Sequence, residues 1–134
     1  MLHTASFYSR DHWVGQPFRV SRQHPRGRRV EWECLPFFYP DRAHLRAYRE
    51  GILTFDQFSR DYRATLERRY SGPAVTENPR DPAPAQLRAW LDSTRSLGDF
   101  TLLCFEPAGE PCHRLVLAHW LLETVDGLPE GFLR

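Results

Sequence analysis

The chain has 134 residues, with 18 basic and 17 acidic side chains and a formal net charge of +1 at pH 7. Hydrophobic residues at 41% and charged residues at 26% are ordinary globular values, which excludes a disordered or collagen-like chain. The near-zero charge excludes attachment to nucleic acid or acidic membranes through overall charge, although a local patch stays open.

A chain of this size buries roughly two-thirds of its unfolded surface, so one domain spanning 1–134 is expected, with no disulfide or structural metal needed for stability. Every basic side chain is arginine. That excludes a lysine Schiff base or lysine general base. Arginine also recognises carboxylate and phosphate bidentately, but genome composition can replace surface lysines just as well. Three cysteines cannot all pair within one chain, and "MLHTASFYSRDHW" lacks the continuous apolar run of a signal peptide. Leu115 to Leu122 is too short to span a bilayer. A reducing cytoplasm and no membrane contact are expected.

"LHTASFYS" and "PFRVSR" read as short strands. "VEWEC" alternates, so it reads as a half-exposed strand with Val30, Trp32 and Cys34 on one side. "LPFFYP" reads as an aromatic loop that covers core. Asp41 is a suitable N-cap for a helix from about Arg42 to Glu50, with Gly51 as terminator. Thr54 and Gln57 form a capping box, with Leu53 and Phe58 spaced as a staple. The following helix carries Phe55, Phe58, Tyr62, Leu66 and Tyr70 at three- and four-residue spacing, which predicts a core face rather than a base-stacking platform. The proline-rich stretch from Ser71 to Ala85 reads as a surface loop between helices. "QLRAWLDSTRSLG" is a third helix, with Leu87, Trp90 and Leu91 inward. "FTLLCFE" is apolar enough for a central parallel strand, and after "PAGEP" a helix is expected from about Pro111. Helix, strand, loop and helix make an α/β unit.

The junction after that strand holds the chemistry. In parallel α/β sheets ligands bind at the carboxyl ends of the strands. Cys104 and Glu106 fall at such an end, while Cys112, His113 and Arg114 open the next helix, where the dipole favours an anion and lowers a thiol pKa. The plainer explanation is that Cys104 and Cys112 are small buried hydrophobes, that Arg114 pairs with a carboxylate, and that His113 is solvated. Seven residues separate the two cysteines, so there is no C-x-x-C pair or zinc-ribbon knuckle. No phosphatase arginine, GxGxxG, Walker A, HExxH or G-x-S-x-G pattern is present. A zinc site from Cys104, Cys112 and His113 plus a distant ligand is conceivable, but no metal is expected. A second basic stretch, "SRQHPRGRR", places Arg22, His24, Arg26, Arg28 and Arg29 in one loop, which is either an anion grip or a solvated turn.

With "FRVSRQHPRG", "LRAYREGILTFDQFSRDYRATL" and "TLLCFEPAGEPCHRLVLAHWL" in view, the chain resembles the bacterial family known as domain of unknown function 488. The residues that carry the resemblance are Leu102, Leu103, Cys104, Glu106, Cys112, His113 and Arg114, with Ser21, Arg22 and Pro25 before them. The short N-terminal region and the proline-rich insertion depart from the pattern. The resemblance implies a small three-layer Rossmann-like α/β domain with a mostly parallel central sheet, and it implies no reaction, cofactor or oligomeric state. Two classes of function stay open. One is an enzyme on a small anionic or nucleotide-like substrate, with Cys112, His113 and Glu106 catalytic and Arg22, Arg114, Ser21 and Cys104 holding the substrate. The other is a non-catalytic module binding an anion, nucleic acid or protein through the same arginines.

Overall fold

The computed structural model describes residues 1–72 and 84–134. Five strands, β1 (Leu2–Ser6), β2 (Gln16–Arg19), β3 (Glu33–Cys34), β4 (Phe100–Cys104) and β5 (Glu130–Leu133), form one sheet in the order β3-β2-β4-β1-β5. Every adjacent pair is parallel. Four helices, α1 (Arg42–Arg49), α2 (Phe55–Ser71), α3 (Pro84–Leu97) and α4 (His113–Thr124), complete a Rossmann-like α/β fold.

All residues of β1 and β4 are buried, as a strand covered on both faces requires. Alternation sorts their side chains. Leu2, Phe18, Phe100 and Leu102 join Leu66, Leu87, Leu117, Trp120 and Leu121 beneath the helices. Ala5, Phe7 and Leu103 face the other way and meet Trp32, with Trp13 and Phe105 packed against them. The second outer layer is therefore built from loops and a 3-10 turn at Arg10–His12. The alternation also assigns Cys104, two residues after Leu102, to the helix-covered face.

The connection from β1 to β2 crosses β4, and the connection from β4 through α4 to β5 crosses β1 in the opposite direction. Right-handed crossovers running in opposite directions lie on opposite faces of the sheet. The carboxyl ends of β1 and β4 therefore flank a topological switch point, the position where open α/β sheets bind ligands.

Local chemistry sets the helix starts. Asp41 accepts hydrogen bonds from the Ala43 and His44 amides at 2.9 and 3.3 Å, and Gly51 takes a positive φ of 77° just beyond α1. Thr54 and Gln57 form the complete capping box of α2. The aromatic stripe buries Phe58, Tyr62 and Leu66, and the Tyr62 hydroxyl donates to the Phe38 carbonyl at 2.6 Å. That bond pins the 3-10 turn Pro36–Phe38 to α2, and the expected aromatic cover is present as Phe37, Phe38 and Tyr39.

Two expectations need correction, and one element was not read. Only Glu33 and Cys34 of "VEWEC" pair as a strand, and Trp32 is buried while Val30 and Cys34 are exposed. Trp32 alone has an aromatic cluster to enter. Helix α4 starts at His113, so Pro111 precedes the N-cap, which is Cys112. Strand β5 lies in "PEGFL", a segment to which no element is assigned from the sequence. Gly131 is there for clearance: a Cβ would lie 2.4 Å from the His3 ring. The proline-rich stretch falls, at 73–83, outside the described residues.

Candidate functional site

The first residue past the end of β2 fixes the site's central ring. His113 is buried, and its Nε2 lies 2.9 Å from the Val20 carbonyl oxygen. A carbonyl only accepts, so Nε2 carries the proton and donates. Nδ1 is thereby turned toward two sulfurs, Cys104 Sγ at 3.7 Å and Cys112 Sγ at 3.9 Å. Tyr62 meets the imidazole edge-on, with ring centroids 5.5 Å apart.

Cys104 ends β4 and points beneath the start of α4, where its thiol donates to Glu106 Oε2 at 3.2 Å. Cys112 is the N-cap of α4, yet its side chain makes no capping hydrogen bond. The thiol is directed at the buried cluster instead. Arg114, in the first turn, is fully buried. Its Nε donates to the Arg134 main-chain oxygen at 2.8 Å and its Nη2 to the Pro107 carbonyl at 3.3 Å. Its Nη1 stands 3.9 Å from Glu106 Oε2 and makes no hydrogen bond.

The electrostatics separate the two thiols. Burial alone would push the Cys112 thiol up, but a hydrogen bond from Cys104 and the nearby His113 and Arg114 charges outweigh it and hold the thiol well below its ordinary range. Burial pushes Cys104 well up, and the Cys112 and Glu106 neighbours add to the effect. Burial and the Cys112 sulfur also raise Glu106. Burial would lower His113, but the Cys112 sulfur beside it raises it. These shifts favour the charged form at Cys112 and the neutral thiol at Cys104, so the two buried sulfurs are chemically unlike.

The structure thus brings Cys104, Glu106, Cys112, His113 and Arg114 together. Ser21 and Arg22 follow Val20, whose amide donates to the Leu103 carbonyl, so they occupy the same rim. Ser21 is buried, and its hydroxyl donates to the Gln23 carbonyl. Arg22 directs Nε and Nη2 to the Pro40 carbonyl at 3.2 and 2.9 Å and lies over the Tyr39 ring. In the remainder of the basic loop, Arg28 covers Tyr8. A cavity of about 550 Å³ beside it is lined by Tyr8, Gln23, His24, Arg26 and Phe105. The Val20 carbonyl and Tyr62 escape a sequence reading. A carbonyl has no side-chain signature, and Tyr62 fits its helical stripe without remainder.

The family model DUF488-N3a, described as the active DUF488-N3 subclade, matches residues 4–125. The chain belongs to the DUF488 family. The match spans both halves of the rim of this DUF488 protein, from Ser21 and Arg22 to Arg114, and stops before β5. No curated protein and no solved structure matches the chain.

Proposed function

We propose that the cluster is the active centre of a cysteine-dependent enzyme acting on a small anionic or nucleotide-like substrate. Cys112 is the reacting thiolate, His113 the acid/base and Glu106 a second proton carrier. Arg114 and Arg22 are the partners for the anion, with Ser21 and Cys104 lining the site. The observation that supports this best is the Cys112 side chain. It occupies an N-cap, leaves the capping bond unmade and meets His113 and Cys104 in a buried site. The matched subclade's description as active favours catalysis over binding alone. The exposed Arg26, Arg28 and Arg29 of the basic loop, of which Arg26 lines the rim cavity, favour the second reading, a non-catalytic module for an anion, nucleic acid or protein. Among the described residues no helix is long and apolar enough to cross a membrane. The free cysteines fit a reducing cytoplasm.

Two alkylating probes, neutral iodoacetamide and anionic iodoacetate, separate these readings. Cys112 is buried, and the segment just before it, 107–111, is exposed. Mass-spectrometric mapping at neutral pH is expected to show Cys112 modified faster than exposed Cys34, and with a preference for iodoacetate over iodoacetamide that Cys34 lacks. Arg22→Gln is expected to reduce that preference several-fold. An inert Cys112 leaves the binding module standing, and equal reactivity toward both probes removes the anionic substrate.

A further inference from the structure

We propose that Cys104, Cys112 and His113 hold a zinc ion, that Glu106, whose Oε2 lies 3.2 Å from the Cys104 sulfur, moves in to complete a tetrahedral set, and that the ion masks Cys112. The inference rests on the reading of Cys112 as the reacting group and adds its regulation.

The sulfurs of Cys104 and Cys112 and Nδ1 of His113 all lie within 4.8 Å of one another, and all three residues are buried. Bond lengths of about 2.3 Å for Zn–S and about 2.0–2.2 Å for Zn–N and Zn–O give tetrahedral S···N and S···O edges of roughly 3.5–3.6 Å. The observed edges are 3.7 Å for Nδ1 to Cys104, 3.9 Å for Nδ1 to Cys112 and 3.2 Å for Cys104 to the Glu106 oxygen. Each lies within about 0.4 Å of the required edge. The two sulfurs, at most 4.8 Å apart, reach the S···S edge of roughly 3.8 Å by closing about 1 Å or less.

The surroundings are also those of a metal centre. A ligating histidine donates its other ring N–H to a carbonyl or carboxylate, which fixes its tautomer; His113 donates Nε2–H to Val20. A ligating carboxylate needs a donor behind it, and Arg114 Nη1 is buried, 3.9 Å from Glu106 and without a hydrogen bond. Two thiolates and a carboxylate around Zn²⁺ leave one negative charge, which Arg114 balances. Sulfur, nitrogen and oxygen donors in this geometry select zinc over magnesium or calcium. Binding releases to solvent whatever protons the two thiols, Nδ1 of His113 and the Glu106 carboxyl carry, and ties the Cys112 lone pair to the metal, so the sulfur no longer attacks an electrophile.

The test uses the full chain carrying Cys34→Ser, which removes the exposed thiol, titrated with Co²⁺ and then Zn²⁺ at neutral pH. One Co²⁺ per chain is expected, with a thiolate-to-cobalt charge-transfer band that one equivalent of Zn²⁺ abolishes. Cys104→Ala is expected to weaken Zn²⁺ by about 100-fold or more, and Glu106→Gln, at a half-exposed position, by about 10-fold or more. Zn²⁺ should slow iodoacetamide modification of Cys112 at least tenfold, reversibly with chelator. Absence of the band, a band unchanged in Glu106→Gln, or undiminished alkylation with Zn²⁺ bound overturns the proposal. Alkylation of metal-free protein keeps the outcomes distinct. A reactive Cys112 without a cobalt band overturns the metal site alone, and a cobalt band with an inert metal-free Cys112 overturns the enzyme reading and, with it, the masking, while the metal site stands.

Discussion

Cysteine is a poor choice for a helix N-cap. Serine, threonine, aspartate and asparagine accept a first-turn N–H there, and replacing them costs about 0.5–2 kcal/mol. Cys112 holds the position without making that bond, so α4 gives up stability for a thiol in the cluster. Cys112→Ser should then raise the urea midpoint, corresponding to about 0.5–1 kcal/mol, while removing the reactive sulfur. A lowered midpoint would show that the thiol is held for packing. At this scale the sequence was informative because the chemistry is in side chains: Cys104, Glu106, Cys112, His113 and Arg114 were legible as a group. Their roles were less so. Arg114, read as an anion holder or a brace, binds two main-chain oxygens, one at Arg134, in a segment where no strand was expected. Arg22 binds the Pro40 carbonyl, a long-range contact that no local pattern announces.

Elements were legible where their ends are set by local bonds. The Asp41 cap and the Thr54 capping box depend on residues within three positions, so spacing alone located α1 and α2. Pro111 misled by two residues, because a residue without an amide donor is as acceptable just before an N-cap as just after it. Strand β3 was misjudged and β5 left unread because an edge strand draws its pairing from a neighbour, and β3 is exposed while β5 alternates between exposed and half-buried residues. The Asp41 cap carries a pH signature. Burial would raise its carboxyl, but the His44 and Ala43 amides outweigh it and the folded value is lowered. A lowered carboxyl contributes stability that is present above its unfolded pKa and is lost as pH falls through the folded pKa. Asp41→Ala should therefore cost about 1 kcal/mol at neutral pH, and the gap to wild type should close as the solution is acidified into and below the carboxylate range. Urea unfolding at a series of pH values checks this. A gap that persists in acid would locate the effect in helix propensity rather than in the charged cap.

Across the whole molecule, the order β3-β2-β4-β1-β5 gives the strands unequal standing. β4 has a partner on each side and lies between the helix-covered core and the Trp32 cluster, so its amides exchange only when the sheet comes apart. β3 is a two-residue edge with both residues exposed, and β5 is an edge strand whose register shifts against β1. The site straddles this difference. Cys104 ends the most protected strand, while Glu106 and the exposed 107–111 segment follow it, and Arg114 is tied to Arg134 just past β5. A buried thiol that must meet a reagent needs one wall that stays and another that yields. Native-state hydrogen exchange should therefore place Leu102 in the slowest class, with an opening free energy equal to that of global unfolding. The Cys34 and Phe132 amides should exchange orders of magnitude faster by local opening. Cys112 alkylation should likewise proceed at urea concentrations too low to expose Leu102. If Cys112 reacts only when Leu102 exchanges, the site opens by unfolding of the whole sheet, and the edge elements contribute no route to it.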